Sequence, residues 1–474
     1  MTVKKIVSHK SLENKIVQEI IDKLNDYFKR SYTEGEKVHN YKTNEELTSL
    51  FGFPIQNTSK DFDWLKAVTD TFLQHTINTA HPFFSNQLFA NVNDIALLGD
   101  MLASATNTSM AVYESAPIAY NMERSVVRLI LGRLGYADDP DHGDGIMTPG
   151  GSYSNMQAIL AARNYLFPET KQSGNLPGLV AFASDLAHYS LGKSANIIGI
   201  GEGCVRYVKT DADGTMNADD LKTKIETEKH NGNLPFFLLL TAGTTEFGSF
   251  DNIKLLTEIA KQHNIWVHVD GAWGGAVAFS RSKRARLQGI ERTDSFSWDA
   301  HKVLGIPLYA SFFMINKPLG TMEQLFGIGK GDYLFHGDSM DLGKKSLQCA
   351  RRNDVLKVWL LFKFFGVEVV ENTFENLFAK SREFAEIVKS DDRFELVMEP
   401  DYLNVCFRVK NPTQLSNVDF LKTIRNNLKE EGFYFVNYTA RNEEDCFFRL
   451  ITNLLITREN FVGFLERIAS EVKK

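Results

Sequence analysis

A single lysine interrupts an otherwise apolar stretch of the sequence SFSWDAHKVLGIP, residues 295–307. Lys302 is followed closely by Leu304, Ile306 and Pro307. Burying an ammonium group is costly unless the group is paired or neutralised, so a chain places a lysine in such a setting for a reason. A desolvated lysine amine is a nucleophile that forms Schiff bases with carbonyl compounds. The setting of Lys302 therefore predicts a reactive amine.

An aspartate follows the apolar run at the start of WVHVDGAWGG, residues 266–275. If this run is a parallel strand, Asp270 lies at its carboxyl end, the edge at which open α/β sheets bind ligands. His268 is two residues earlier and would share its face. A carboxylate there needs a cationic partner. A salt bridge within the protein or a cap for the next turn remains the alternative to a ligand role.

A glycine-rich turn leads into a helical pattern in TPGGSYSNMQAILAARNYLF, residues 148–167. Ser152 and Ser154 stand at the start of the predicted helix. Free backbone N–H groups and the helix dipole make such a terminus a seat for phosphate. A plain capped turn is the alternative. A phosphate seat, an acid for a pyridinium nitrogen and an imine-forming lysine are together the three protein parts that pyridoxal phosphate requires.

These residues must be positioned by alternating strands and helices. Helical patterns separate three short apolar runs that are typical of buried parallel strands: LVAFAS at 179–184, FFLLLT at 236–241 and IWVHV at 265–269. The segment 251–264 predicts a helix that opens with Asp251 as its cap. Strand, helix and strand at this spacing form a βαβ unit and hence a parallel sheet.

The length of 474 residues suits two or three packed domains. We expect an N-terminal helical segment over 1–75, a large cofactor-binding α/β domain over 76–345 and a small α+β domain over 346–474. The first segment predicts an amphipathic helix, with apolar residues every fourth position from Leu12 to Phe28. Its apolar stripe would pack on its own chain or on a partner subunit.

The composition excludes several classes of protein. A net charge of −6 argues against a nucleic-acid surface, and the short basic run RSKRAR at 281–286 is typical of a solvated face. The four cysteines form no CxxC motif, and no histidine spacing indicates a metal site. We find no signal peptide and no stretch that approaches the length of a membrane span, so we expect a cytoplasmic protein.

Seven motifs in order give the chain a specific family resemblance. It resembles the pyridoxal-phosphate-dependent group II amino-acid decarboxylases, and within them the glutamate and cysteine-sulfinate branch. The motifs are HPFFSNQL at 81–88, NTSMAVYESAP at 107–117, GDGIMTPGGSYSNMQAILAAR at 143–163, SDLAHYS at 184–190, TAGTTEFGSFD at 241–251, HVDGAWGG at 268–275 and WDAHKVLG at 298–305.

The resemblance implies an α/β fold of the aspartate-aminotransferase type. Its large domain would hold a mostly parallel seven-stranded sheet, followed by a small α+β C-terminal domain. It also implies pyridoxal 5'-phosphate as cofactor, an amino acid as substrate and a homodimer as the working assembly.

Catalytic roles follow from the same resemblance. Lys302 would hold the cofactor as a Schiff base. Asp270 would pair with the protonated ring nitrogen and keep the ring an electron sink. His188 would stack on the ring face.

Further cofactor contacts are also implied by the resemblance. Gly151, Ser152 and His301 would lie near the phosphate. Thr245 and Ala272 would line the ring.

The expected substrate is an acidic amino acid: glutamate, aspartate or cysteine sulfinate. Arg449 lies in the apolar, strand-like segment CFFRLIT at 446–452, and a buried guanidinium favours a bidentate anion. In the enzymes that this chain resembles, that anion is the distal acid group of the substrate. An internal salt bridge is the alternative. Gln87 and Asn107 are further pocket candidates.

Three departures from the family pattern stand out. The mobile loop of the family carries a tyrosine that can protonate Cα, whereas no tyrosine follows Tyr333 in the loop here, which leaves His188 or Lys302 as donor. Asp299 and Ala300 stand where the glutamate branch has Asn-Pro, and we expect an acid so near a phosphate to point elsewhere.

The third departure concerns the pocket. Phe89 and Ala90 replace smaller, hydroxylated residues, which favours a shorter acid such as aspartate. Three alternatives to an acidic amino-acid decarboxylase stay open: a decarboxylase of aromatic or basic amino acids on this scaffold, an aminotransferase or desulfurase, and an inactive cofactor-binding homologue.

Overall fold

The computed structural model describes residues 15–33, 35–55, 57–327, 335, 340–411, 413 and 415–472. Its helices are α1 (Lys15–Arg30), α2 (Asn44–Phe51), α3 (Phe62–His75), α4 (Asp94–Thr106), α5 (Pro117–Leu134), α6 (Gly151–Leu166), α7 (Thr170–Ser173), α8 (Ser190–Ile197), α9 (Ala218–His230), α10 (Ile253–Lys261), α11 (Thr321–Phe326), α12 (Val355–Lys389), α13 (Asn417–Glu431) and α14 (Arg458–Glu471). Its strands are β1 (Phe84–Ser85), β2 (His142–Thr148), β3 (Leu179–Ser184), β4 (Val205–Val208), β5 (Leu234–Thr241), β6 (Trp266–Gly271), β7 (Ser295–Asp299), β8 (Ser311–Pro318), β9 (Phe394–Leu396), β10 (Asn404–Val409), β11 (Phe435–Ala440) and β12 (Cys446–Ile451).

The chain forms two compact units, which are described separately. The first unit comprises the described residues of Met1–Asn91, Ser390–Glu395 and Phe407–Lys474, and the second comprises those of Val92–Lys389 and Leu396–Cys406. The predicted division at residues 75 and 345 stays a prediction.

A seven-stranded sheet forms the centre of the second unit, in the order β2-β8-β7-β6-β5-β3-β4. The pairs from β7 to β4 are all parallel, whereas β8 runs antiparallel to both of its neighbours. The predicted mostly parallel seven-stranded sheet is therefore confirmed. Because the four strands β3, β5, β6 and β7 run the same way, their carboxyl ends meet at one edge.

The parallel strands are nearly continuous apolar runs because helices cover the sheet. Every residue of β3, β6 and β7 is buried. Helix α6 packs on this core through its small residues Ala158, Ala161 and Ala162, all fully buried. Small side chains let the helix axis approach the sheet closely. The amino end of α6 is thereby brought to the carboxyl edge of the strands.

The helix predicted over 251–264 exists, but its cap differs from the prediction. Helix α10 begins at Ile253, and the Asn252 side chain accepts a hydrogen bond from Leu255 N at 3.1 Å. Asp251 is instead buried and accepts backbone hydrogen bonds from Thr241 and Met216, each at 2.7 Å. Both residues are good caps, and only the path of the loop after β5 decides between them.

A second sheet has five strands in the order β1-β11-β12-β10-β9. The first unit contains β1, β11 and β12 in full, and parts of β9 and β10. The predicted N-terminal amphipathic helix is present as α1. It contacts α3 of the same unit through a Lys66–Glu19 ion pair at 3.0 Å and a hydrogen bond from Arg30 to Leu73 O at 3.1 Å. These polar contacts join the helix to its own chain. The predicted apolar stripe begins at Leu12, outside the described residues, and Leu24 within it is 36% exposed, so the packing of the stripe on this chain or on a partner stays a prediction.

Among the described residues, no helix combines the length and apolar character needed to cross a bilayer. The same part of the chain contains no group of three or more histidine, cysteine, aspartate or glutamate side chains arranged to hold a metal ion.

Candidate active site

A cavity of about 210 Å³ lies in the second unit, where β5, β6 and β7 end and α6 begins. Its lining consists of Gly151, Ser152, Asn155, Leu186, His188, Tyr189, Thr241, Gly243, Thr245, Asp270, Ala272, Trp273, Asp299 and Lys302. Seven of the residues that the sequence analysis singled out for cofactor contacts are thus brought together: Gly151, Ser152, His188, Thr245, Asp270, Ala272 and Lys302. His301 is the exception.

Lys302 sits in the short 3-10 turn Ala300–Lys302 that directly follows β7. Its Nζ lies 3.1 Å from Asp299 Oδ2, and its side chain retains 20% of its exposure. The ammonium group is therefore stabilised by a buried anion as well as by partial contact with solvent. This corrects the expectation that Asp299 points elsewhere, since its carboxylate faces the cavity and pairs with the lysine.

Asp270 is held on three sides by hydrogen-bond donors. It lies near the end of β6 and is buried. Asn155 Nδ2 donates to Oδ2 at 2.7 Å, and Ala272 N donates to Oδ1 at 3.0 Å. Ser297 Oγ on the adjacent strand adds a long contact to Oδ1 at 3.5 Å. Donors of this kind favour the charged form of a carboxylate and fix its orientation.

A chain of buried hydrogen bonds continues behind Asp270. Asn155 Oδ1 accepts from His268 Nε2 at 3.0 Å, because the amide nitrogen of Asn155 is already directed at Asp270. His268 Nδ1 is 2.9 Å from Ser295 Oγ, which in turn accepts from Trp266 Nε1 at 2.8 Å. This pattern assigns a neutral His268 that carries its proton on Nε2. Burial lowers the pKa of His268 to about 4, although Asp270 acts in the opposite direction.

His188 lines the cavity just before α8 and is half-buried. Its Nδ1 accepts a hydrogen bond from Ser190 N at 3.3 Å. Burial lowers the pKa of His188, while nearby Asp270 raises it and Lys302 lowers it further. The ring is accordingly neutral at neutral pH, which suits a stacking partner better than a cation would.

The phosphate-seat prediction concerns the amino end of α6. Gly150, at φ 146°, precedes the helix, and no side chain caps it. A Cβ added to Gly151 would lie 2.8 Å from Asp299 Oδ2 and 3.0 Å from the Ala272 methyl group. Any other residue at this position would displace the Asp299 carboxylate.

His301 lies behind this end of the cavity. Its Nδ1 is 3.1 Å from Ala310 N, and its Nε2 is 3.9 Å from Asp299 Oδ2.

The three candidate substrate residues are absent from this lining. Arg449 and Gln87 belong to the first unit, whereas the second unit contains Asn107. Arg449 is buried in β12 and donates to Asn86 O at 2.9 Å. Gln87 is exposed, and so is Asn107, which caps the end of α4. Part of the loop without a tyrosine, residues 333–334 and 336–339, lies outside the described residues.

Sequence reasoning missed Asn155. It stands four residues after Gly151 in the glycine-rich motif, so the two share one face of α6. The motif predicted a helix whose amino end meets the strand edge. Asn155 could have been singled out because it lies on the same face of that helix as Gly151. Thr241 and Trp273 were missed as well, although both lie within or beside the quoted motifs.

The cavity fits pyridoxal phosphate. It offers the amine of Lys302, the fixed carboxylate of Asp270 and the half-buried imidazole of His188. The uncapped amino end of α6 lies beside them, and glycine there lets the backbone come close to a ligand. Thr241 Oγ1 is buried there without a hydrogen-bond partner in the described residues. Buried polar atoms are satisfied in nearly all native structures, so this hydroxyl is available to a group held in the cavity.

Comparison with known proteins agrees with this geometry. The pyridoxal-dependent decarboxylase conserved domain matches residues 45–410. Cysteine sulfinic acid decarboxylase of Rattus norvegicus is 33% identical over 472 residues, with 95% of this chain and 94% of that protein covered. Glutamate decarboxylase of Drosophila melanogaster is 33% identical, with 94% and 90% covered.

Solved structures agree as well. The crystal structure of mouse CSAD aligns with a TM-score of 0.92 at 32% identity, over 96% of this chain and 98% of that one. The expected fold, the expected pyridoxal phosphate cofactor and the expected carboxy-lyase class are confirmed. The family model matches most of the chain, and the relatives cover nearly all of it. The chain therefore belongs to the pyridoxal-dependent decarboxylase family.

Proposed function

We propose that this protein removes the α-carboxylate of an acidic amino acid, namely glutamate, aspartate or cysteine sulfinate, as carbon dioxide and leaves the amine. The observation that carries the proposal is the convergence of Lys302, Asp270 and His188 on one cavity. Two relatives are decarboxylases of cysteine sulfinic acid and of glutamate, and both substrates are acidic amino acids, which supports the substrate class.

Pyridoxal phosphate, when bound, supplies an electron sink for the bond that breaks. Lys302 would hold its aldehyde carbon, and Asp270 its ring nitrogen. His188 would stack on the ring. The backbone of Gly151 and Ser152 would seat the phosphate near His301, and Thr245 and Ala272 would line the ring.

Asp270 performs its part through a fixed orientation. Asn155 and Ala272 donate hydrogen bonds to its two oxygens, and the neutral His268 behind Asn155 brings no competing charge. A fixed anion at this place keeps the opposing ring nitrogen protonated. Preorganised charge of this kind needs no rearrangement during the reaction.

Lys302 is our proposed donor of the proton that replaces carbon dioxide on Cα. Its Nζ lines the cavity and is held by Asp299 Oδ2 at 3.1 Å, so the side chain is placed to deliver a proton there. His188 is the weaker candidate because burial lowers its pKa.

Arg449 is the proposed partner of the distal acid group, with Gln87 and Asn107 as further pocket residues. Arg449→Ala should raise KM for acidic substrates about ten- to a hundredfold, the loss expected for hydrogen bonds between charged groups. Arg449→Lys should fall in between, because it retains the charge but loses the planar fork. Arg408→Ala, a nearby arginine paired with Asp445 at 2.7 Å, is the matched control and should leave KM unchanged. Equal effects of Arg449→Ala on acidic and other substrates would remove it from the pocket.

The proposal also includes a cytoplasmic homodimer. Three apolar side chains of α4, Leu98, Met101 and Leu102, retain 43–50% of their exposure in the isolated chain, and a second copy would cover them. The four free cysteines accord with a reducing compartment. Light scattering should give twice the chain mass, and a fully active monomer would contradict the dimer.

Carbon dioxide release from each of the twenty amino acids and from cysteine sulfinate tests the whole proposal. We expect release from one or more of the acidic substrates. Release only from aromatic or basic amino acids would overturn the substrate class. A yellow protein that releases none would identify an inactive homologue.

A further inference from the structure

Asp299 has an incomplete set of partners in the cavity. It ends β7, its side chain is only 3% exposed, and Oδ2 pairs with Lys302 Nζ at 3.1 Å. Its second oxygen, Oδ1, is buried without a hydrogen-bond partner among the described residues. A buried carboxylate oxygen without a donor is unfavourable, so the fold holds it there against a cost.

The same carboxylate stands beside the amino end of α6. A Cβ added to Gly151 would meet both oxygens of Asp299, at 2.8 and 3.1 Å. This 16-residue helix has no side-chain cap, and its first N–H groups are those assigned to the cofactor phosphate under the proposed function. The negative charge of Asp299 therefore lies next to the seat of a second negative charge.

Two effects of Asp299 oppose loading of the cofactor. Its charge repels a phosphate dianion at close range in a poorly screened cavity. It also holds Lys302 Nζ in an ion pair at 3.1 Å, and this contact must be given up when the amine forms a C=N bond. The first effect depends on the phosphate, and the second depends only on the aldehyde.

We propose that Asp299 is a determinant of cofactor affinity that weakens the binding of pyridoxal phosphate, chiefly through its phosphate group. The inference rests on the proposed phosphate seat at Gly151 and Ser152. An uncharged amide of the same shape at this position retains a hydrogen-bonding side chain but removes the repulsion.

The test is a titration of cofactor-free protein with pyridoxal phosphate and, separately, with pyridoxal, followed by absorbance. Asp299→Asn should bind pyridoxal phosphate at least about tenfold more tightly than the unaltered protein, and the gain for pyridoxal should be clearly smaller. Asp144→Asn is the matched control. That carboxylate is also buried and pairs with Lys345 at 2.9 Å, but it does not line the cavity, so neither affinity should change.

Several results would overturn the inference: unchanged or weaker binding of pyridoxal phosphate by Asp299→Asn, or an equal gain for the two aldehydes. Asp299→Ser provides a second, smaller uncharged side chain if the asparagine variant does not fold, and the same gain is expected. Carbon dioxide release separates this inference from the proposed function. If the unaltered protein binds cofactor and releases carbon dioxide while the affinities of the variants match its own, only the role of Asp299 fails.

Discussion

Two aspartates end neighbouring strands at one edge of the sheet, yet their surroundings differ sharply. Asp270 on β6 accepts hydrogen bonds from Asn155 and Ala272 and is backed by a chain of buried polar groups. Asp299 on β7 has Lys302 at one oxygen and no donor at the other. The first carboxylate is fixed in orientation, whereas the second depends on Lys302, a partner that the reaction itself must use.

The difference originates on the opposing helix. Gly151 and Asn155 are one turn apart on α6, so each faces one of the two strand ends. Asn155 offers an amide to Asp270, but Gly151 offers no side chain to Asp299. The absence of a Cβ makes room at that end of the cavity and simultaneously removes a donor.

The largest expected effect comes from substituting Lys302, and it distinguishes the role of Lys302 as a nucleophile from its role as the counter-ion of Asp299. Lys302→Arg keeps a cation beside Asp299 but cannot form a Schiff base, so carbon dioxide release should fall at least about a thousandfold. The thermal midpoint should stay near that of the unaltered protein, whereas Lys302→Ala should lower it by leaving the buried carboxylate alone. Substantial turnover by Lys302→Arg would exclude covalent catalysis at this position.

The same substitution on the two aspartates should act in opposite directions. Asp270→Asn should lower kcat about a hundredfold, because it removes a preorganised charge, and should weaken cofactor binding. Asp299→Asn should strengthen cofactor binding, as argued above. Absorbance titration and carbon dioxide release measure both. If Asp270→Asn and Asp299→Asn changed cofactor affinity in the same direction, the proposed difference between the two aspartates would be wrong.

The buried hydrogen-bond chain behind Asp270 should make the stability of the protein sensitive to acid through His268. The pKa of His268 is lowered by burial to about 4 in the folded protein, against an ordinary value of 6.5, so the unfolded chain binds this proton more tightly. Stability from the neutral ring is therefore present above pH 6.5 and is lost as pH falls towards 4. Between pH 7 and pH 5 this amounts to about 2 kcal/mol.

Urea unfolding of His268→Gln at the two pH values checks this linkage. The variant should lose about 2 kcal/mol less than the unaltered protein over that interval, whatever its stability at pH 7. Identical pH dependence in the two proteins would show that His268 does not carry the effect.

The smallest expected effect concerns the support behind Asp270. Asn155→Ala should lower kcat about tenfold, since one buried donor is lost while Ala272 N remains. Asn164→Ala is the matched control on the same helix. Asn164 is also buried, and its amide donates to Leu325 O at 2.8 Å, outside the cavity. It should cost stability without altering kcat, and an equal loss of kcat in both variants would assign Asn155 a purely structural role.

Much of the scaffold was predictable from local pattern. The run LVAFAS coincides with β3, and the run FFLLLT falls within β5. Continuous apolar runs of this length are compatible with few structures other than buried parallel strands, and short loops leave few ways to order them. The cap of α10 was less predictable, because Asp251 and Asn252 are adjacent and chemically similar.

Local sequence pattern specifies which side chains stand at the strand ends, because the apolar runs indicate where each strand stops. The group that each of these side chains meets follows instead from the packing of helix on sheet. Asp299 faces Lys302 rather than solvent because α6 presents a glycine at that point, and Asp270 is fixed because the same helix presents Asn155 one turn later. Such contacts depend on how closely a helix packs on a sheet, a distance set by the small residues between them and by no single local motif.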